Sequence, residues 1–211
     1  MNWLLVLWLL CFQMLLVSVS VFQFNLGIGM ACALDTLCGQ AHTGSSDQKA
    51  SGKHLQRSII IMFFISLIVA IVWLVAEPLL ILLKQDPEIA RLTSLYLFYL
   101  IPAIFPYFIY ECLRRFLQSQ GIMNGSMFVV VSVFPINIML QYFFIYYLDF
   151  GYIGAAIGLS VTNILEPLLL LVYMKIHPNG FEAWGGWSIK ECFNVRLLWE
   201  FCKLGIPGTL I

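Results

Sequence analysis

The chain is 211 residues long, 61% hydrophobic and only 10% charged, a balance too apolar for a water-soluble domain of this size to cover its own surface. Eleven Lys and Arg offset eleven Asp and Glu, so no global charge recommends an acidic partner, and no nucleic acid is expected. The six cysteines, Cys11, Cys32, Cys38, Cys112, Cys192 and Cys202, form no C-x-x-C pair and stand beside no spaced histidines, which argues against zinc or redox chemistry; no cofactor and no metal are expected.

The first apolar run, about 3–33, lacks the basic start of a secretory signal and is about twice as long as its apolar region. It reads as a spanning helix, since about 20 apolar residues cross the hydrocarbon core. Within it, Gln23 and Asn25 either face a cavity or pack as amides. The run closes on ALDTLCGQA, residues 33–41. There Gly39 and Gly44 can end a helix, while Asp35, Thr36 and Gln40 can reach backbone groups left unpaired by the turn.

Four more apolar runs follow, at about 58–83, 95–117, 127–148 and 153–174, and a further one starts at 204. Open sheet edges cannot be satisfied in lipid, so these runs are helices. The fold class is all-α, a polytopic membrane helical bundle occupying the whole chain, 1–211. Between the last two runs, Ser188 and Glu191 are spaced as a capping box, and Ile189, Phe193 and Leu197 recur on one face. This predicts a short interfacial helix over about 188–202, anchored by Trp184, Trp187 and Trp199.

Polar residues at membrane depth are costly unless they line a cavity or meet a partner. Asn137 and Gln141 lie four apart on one helix face; they either line a cavity or hydrogen-bond a neighbouring helix. Ser160, Asn163 and Glu166 form a stripe on the next run. Glu166 is placed to take a proton or a polar substrate group, to donate a helix-to-helix hydrogen bond, or to neutralise a basic residue elsewhere. Glu111, Arg114 and Arg115 are spaced for ion pairing on one helix. Pro102, Pro106, Pro135 and Pro167 each remove a backbone donor from a span. His42, His54 and His177 read as solvated residues in or near loops. No nucleophile, base and orienting group recur at a useful spacing, so an enzyme is not expected.

Several motifs agree with one family. ALDTLCGQA followed by GKHLQR (52–57) resembles the end of the second helix of the multidrug and toxic compound extrusion (MATE) transporters and its continuation. EPLLILLKQDPEIA (77–90), RFLQSQ (115–120), GYIGAAIG (151–158) and EFCKLGIPGTLI (200–211) resemble, in order, the family's third helix and outer loop, the end of its fourth helix, the start of its sixth and the entry to its seventh. The resemblance covers about residues 21–211. It makes Asp35, Thr36, Cys38, Gly39, Gln40, Gln56 and Arg57 motif residues of a structural kind.

The resemblance implies a secondary active transporter of two six-helix bundles around a central cavity. Such a transporter exports organic, often cationic, compounds as multidrug or xenobiotic efflux, in antiport against H⁺ or Na⁺. Its partners would be a small organic substrate, the coupling ion, the lipid bilayer and a second transmembrane bundle. This chain corresponds to helices two to six and the start of seven, and is expected to be a piece of a larger transporter. A multi-pass location in a plasma membrane or a vacuolar or other organelle membrane is implied. Prokaryotic relatives usually place an Asp where Gln141 stands; Gln141 does not titrate, so that coupling role does not carry over. Candidates for the substrate or ion pathway are Asn137, Gln141, Asn163, Glu166, Gln23 and Asn25. A membrane-embedded structural or regulatory partner and a lipid-carrier flippase stand as alternatives.

Orientation follows from the basic residues. Lys49, Lys53, Arg57, Arg114, Arg115, Lys175, Lys190, Arg196 and Lys203 fall on one side, and only Lys84 and Arg91 on the other. By the positive-inside rule the richer side is cytoplasmic. The segments 42–56 and 177–203 are then cytoplasmic, and 84–91 and 149–152 face outside. An impermeant maleimide applied from outside should label a single cysteine at position 86 and miss one at position 49; the reverse pattern would overturn the orientation.

Overall fold

Pro78 shapes the first membrane-length helix among the described residues. In a computed structural model that describes residues 33–39, 50–82 and 85–177, with the single positions 27, 29, 184, 186 and 203, helix α1 (33–39) is followed by α2 (Ala50–Leu74) and the short α3 (Ala76–Leu82). The sequence predicted one span over 58–83. Pro78 has no N–H for the Leu74 carbonyl, so the regular ladder is interrupted at Val75. The Val75 N–H still reaches the Ile71 carbonyl at 3.2 Å, and Leu79 N–H reaches Val75 O at 3.4 Å.

The start of α2 also departs from expectation. The helix begins at Ala50, so GKHLQR is helical and not loop. Its polar residues concealed it, yet Ser51, Gln56, Arg57 and Ser58 are buried. His54 accordingly sits half-buried on a helix, not solvated in a loop. Most of the 3–33 span with Gln23 and Asn25, together with Gln40, the 188–202 helix and the run from 204, lies outside the described residues.

Helix α4 (Pro87–Ser119) has 33 residues, against the predicted 95–117. At 1.5 Å per residue it is roughly 50 Å long, which exceeds the hydrocarbon core of about 30 Å. Both ends are built by local chemistry. The Asp86 carboxylate accepts the Glu88 N–H at 2.9 Å, and Pro87 occupies the first turn, where its missing donor costs nothing. At the other end Gly121 has a φ of 80°. The Ile122 N–H donates to Leu117 O at 3.0 Å and the Gly121 N–H to Gln118 O at 2.9 Å. That pair of bonds is a Schellman motif.

Helix α5 (Asn124–Tyr142) runs into a π-helical turn, Phe143–Tyr147, closed by Leu148 N–H on Phe143 O at 3.0 Å. After a turn through Asp149 and Gly151, with φ of 54° and 56°, α6 (Gly151–Ile176) returns. These two spans fall within a few residues of the predicted 127–148 and 153–174. Among the described residues, four helices are long and apolar enough to cross a membrane, and the architecture is a polytopic α-helical bundle.

Helix α4 is the centre, packing on α2 and on α6, while α5 packs chiefly on α6. Phe108 and Phe116 of α4, Leu55 and Met62 of α2, and Leu170 and Met174 of α6 are fully buried. Phe64, Ile68 and Ile71 of α2, and Met127, Val131, Phe134 and Met139 of α5, are exposed, as lipid-facing side chains are.

The α5–α6 contact depends on small residues, because lipid supplies no hydrophobic force between helices and association relies on close packing and hydrogen bonds. GAAIG, residues 154–158, places Gly154 against the π turn. A Cβ there would lie 2.6 Å from the Phe144 carbonyl oxygen, and one at Gly158 would lie 3.4 Å from the Gln141 amide carbon. Gly154→Val should therefore destabilise the bundle by about 1–3 kcal/mol, the usual cost of overpacking. Gly39→Ala, where a Cβ meets nothing within 4 Å, should leave stability nearly unchanged. Thermal unfolding followed by tryptophan fluorescence in detergent reads both; equal melting temperatures would refute the packing argument.

Candidate functional site

The loop-side ends of α1, α2 and α4 come together. The first turns of α2 are polar because they are packed against other protein, and the last turns of α4 carry the ion-pairing residues expected from spacing. Arg114 lies 3.3 Å from Glu111 Oε1, and Arg115 Nε lies 4.0 Å from Glu111 Oε2. What spacing could not indicate is the other half of the Arg115 contact. Its Nη1 is 2.5 Å from Asp35 Oδ2, across 80 residues of sequence. The Glu111 side chain is only 3% exposed.

The remaining motif residues also act as connectors. The Cys38 thiol, buried, donates to the Ser51 carbonyl at 3.7 Å. Gln56 donates its amide to the Gly186 carbonyl at 2.6 Å. Arg57 is buried. Thr36 donates to its own helix at Ala33 O, 2.8 Å away, and is exposed. Gly39 is the last residue of α1, and a Cβ there would meet nothing within 4 Å among the described residues.

Deeper in the bundle the polar residues divide into engaged and open. The Asn137 amide donates to the Thr162 hydroxyl at 2.8 Å, and Thr162 in turn donates to Gly158 O at 2.9 Å. Gln141 donates to Ala155 O at 3.3 Å. Both amides therefore bind α5 to α6. Ser160 donates to Tyr99 O at 2.6 Å and binds α6 to α4. Asn163 and Glu166, the rest of that stripe, are half-buried.

Glu166 is not isolated. It lies within electrostatic reach of Tyr107, Tyr110, Glu111 and Arg114 on α4. Beside these groups, a cleft of about 390 Å³ opens between the last turns of α4 and the first of α5. Tyr110, Arg114, Gln118 and Ser126 supply its polar lining, and Met127, Val130 and Val131 the apolar part. Sequence reasoning placed Glu166 and the Glu111 group on separate helices and did not join them. The pairing of α4 with α6, a tertiary fact, brings them within electrostatic reach of one another.

Comparisons with known proteins agree with this geometry. The MatE family model matches residues 13–143. The chain is 34% identical over 202 residues to Protein DETOXIFICATION 17 of Arabidopsis thaliana, covering 91% of this chain and 40% of that protein. It is 35% identical over 194 residues to Multidrug and toxin extrusion protein 2 of Mus musculus, covering 92% of this chain and 33% of that one. The crystal structure of the eukaryotic MATE transporter AtDTX14 superposes with a TM-score of 0.84 at 29% identity, over 92% of this chain and 43% of the other. The chain thus spans about 40% or less of the length of these curated relatives.

The Arg115 bridge can be weighed by substitution. Arg115→Met removes the counter-charge of Asp35 and one of two beside Glu111. Breaking a fully buried pair costs about 3–5 kcal/mol. Asp35 and Arg115 are partly exposed, so solvent screening should reduce this to roughly 1–3 kcal/mol. The double variant Asp35→Asn/Arg115→Met should recover part of the loss. A double-mutant cycle on melting temperature measures the coupling, and strict additivity would remove the bridge from the stability argument.

Proposed function

The chain belongs to the MatE family, and we propose that it supplies most of one helical bundle of an ion-coupled antiporter that exports organic, often cationic, compounds. The observation that carries this reading is the similarity to Multidrug and toxin extrusion protein 2, which runs through 92% of the chain. The names of the Arabidopsis relatives, which speak of detoxification, point the same way. The family is one of transporters, and the chain is an integral membrane protein with several spans; no catalytic residue is assigned.

In this reading H⁺ or Na⁺ drives export, the partner is a second transmembrane bundle, and the substrate lies between the two bundles, as secondary transporters commonly arrange it. The hydrogen bonds of Asn137 and Gln141 to α6 favour a role in holding the bundle together. Asn163 and Glu166 are left as the pathway candidates among the described residues.

The test is reconstitution. Residues 1–211 alone in liposomes should give no gradient-driven uptake of a quaternary ammonium cation, and a two-bundle protein containing this segment should give uptake that collapses with the ion gradient. Uptake by 1–211 alone would mean that copies of this bundle assemble into a pathway. No gradient-driven transport by the two-bundle protein would overturn the antiport reading.

A further inference from the structure

The end of the α5–α6 hairpin formed by residues 142–152 is an exposed aromatic surface. Tyr142, Tyr146 and Tyr147 are 66%, 71% and 77% exposed, and Phe143, Phe150 and Tyr152 are exposed beside them. The π turn sets this surface: none of its five residues, Phe143–Tyr147, is buried, and π turns inside α-helices gather at functional sites. The rings are ordered in pairs. Tyr142 and Tyr146 have centroids 5.2 Å apart and planes tilted by 35°, while Phe143 and Tyr147 stack at 5.2 Å and 16°. Gly154 permits the arrangement, because a Cβ there would press on the Phe144 carbonyl oxygen of the turn at 2.6 Å.

Length puts this surface at the depth of the lipid headgroups. The span Asn124–Tyr147 has 24 residues and is roughly 36 Å long, against about 30 Å of hydrocarbon, so a span that starts at one boundary brings these rings to the other. Tyrosine suits that boundary, with an apolar ring and a hydroxyl that stays wet. Charge is a second, independent observation. Between residues 124 and 174 the sequence has two charged residues, Asp149 and Glu166. Glu166 lies near the middle of α6, whereas Asp149 is exposed in the turn that follows the rings, at a φ of 54°. At this end of the bundle Asp86, Glu88 and Asp149 also outnumber Lys84 and Arg91 in the sequence. Such an end repels anionic headgroups and draws a cation.

We propose that this surface holds the headgroup of a choline phospholipid, its quaternary ammonium against the rings of Tyr142, Tyr146 and Tyr147, with the Asp149 carboxylate supplying the counter-charge. A ring face attracts a cation within about 6 Å of its centroid, and aromatic surfaces that recognise choline are built on this attraction. A quaternary ammonium has no N–H, so it gives up less to water on reaching the rings than the ammonium of an ethanolamine lipid does. An anionic headgroup without an amine offers the rings no cation and meets Asp149 as a like charge. The acyl chains of the same lipid lie along α5 further from this end, where Ile138 and Phe134 are exposed. In the orientation that the basic residues give, this leaflet is the one opposite the cytoplasmic, anionic lipids.

Lipid selection is measured on the 211-residue chain in nanodiscs of phosphatidylcholine, phosphatidylethanolamine and phosphatidylglycerol in equal parts, by native mass spectrometry of the lipids retained. Phosphatidylcholine should be retained several-fold over each of the others. Tyr142→Leu/Tyr146→Leu keeps apolar area and removes two rings; it should bring retention to parity, as should Asp149→Lys. Phe134→Leu removes an exposed ring away from the turn and should leave the preference intact. A preference absent from the parent chain, kept by either of the first two variants, or lost equally in Phe134→Leu would overturn the site. Magnetisation transfer from choline N-methyl protons to tyrosine rings requires no variant to fold; it should be present in the parent, and its absence would refute the contact. Tetramethylammonium that binds as well in discs of phosphatidylglycerol alone would replace the lipid with a free cation. The same preference should appear in a two-bundle protein containing this segment, and its loss there would mean that the second bundle, and not lipid, covers the rings.

Discussion

The arrangement turns on the Arg115 guanidinium. It stands between Asp35 at the end of α1 and Glu111 inside α4, and in doing so fixes where the first described helix ends against the central one. An arginine suits the position, because its planar fork can serve two carboxylates on different elements at once. Around it the Cys38 to Ser51 and Gln56 to Gly186 bonds connect α1 with α2 and α2 with the chain near residue 186. The motif ALDTLCGQA therefore has a physical reading that a helix stop alone did not give: it is the loop-side clamp of the bundle.

Helix α4 serves that clamp by its length and by its rigid ends. Asp86 caps its start and Gly121 closes its end, so the charged residues near its end sit at a fixed height. Pro102 and Pro106 leave the carbonyls of Phe98 and Pro102 without helical donors, but the helix continues through both because its sides are packed on α2 and α6. The Ser160 to Tyr99 bond sets the depth of α6 against α4, and with it the proximity of Glu166 to Arg114.

The sequence made the membrane class, the helices and the family legible, because apolar length and local motifs are one-dimensional signals. Its errors have particular causes. Helix α2 began at Ala50, not near residue 58, since Ser51, Gln56 and Arg57 look like loop residues until other helices bury them. The break at Val75 was written in Pro78, but an apolar run hides it from hydropathy. The Asp35–Arg115 pair and the meeting of Glu166 with Glu111 and Arg114 could not be read at all, as no periodicity links residues on different helices. Asn137 and Gln141 were identified as sharing one helix face, while their partners, Thr162 and the Ala155 carbonyl, came only with the packing of α5 on α6.

That choice bears on where chemistry can reside. Helix α5 buries little of its surface against the other described helices, and in a membrane dispersion with lipid tails is as good as dispersion with other helices. Holding it therefore requires what lipid cannot offer: close backbone approach at Gly154 and Gly158, and amides that bond across the gap. An amide used in this way does not change charge with pH, so its bond to α6 does not depend on pH. Glu166 is the opposite case. It lies on α6, within electrostatic reach of Glu111 and Arg114 on α4, and makes neither of the amide bonds between α5 and α6. The contacts that hold α5 against α6 are therefore separate from the α4 groups that act on Glu166.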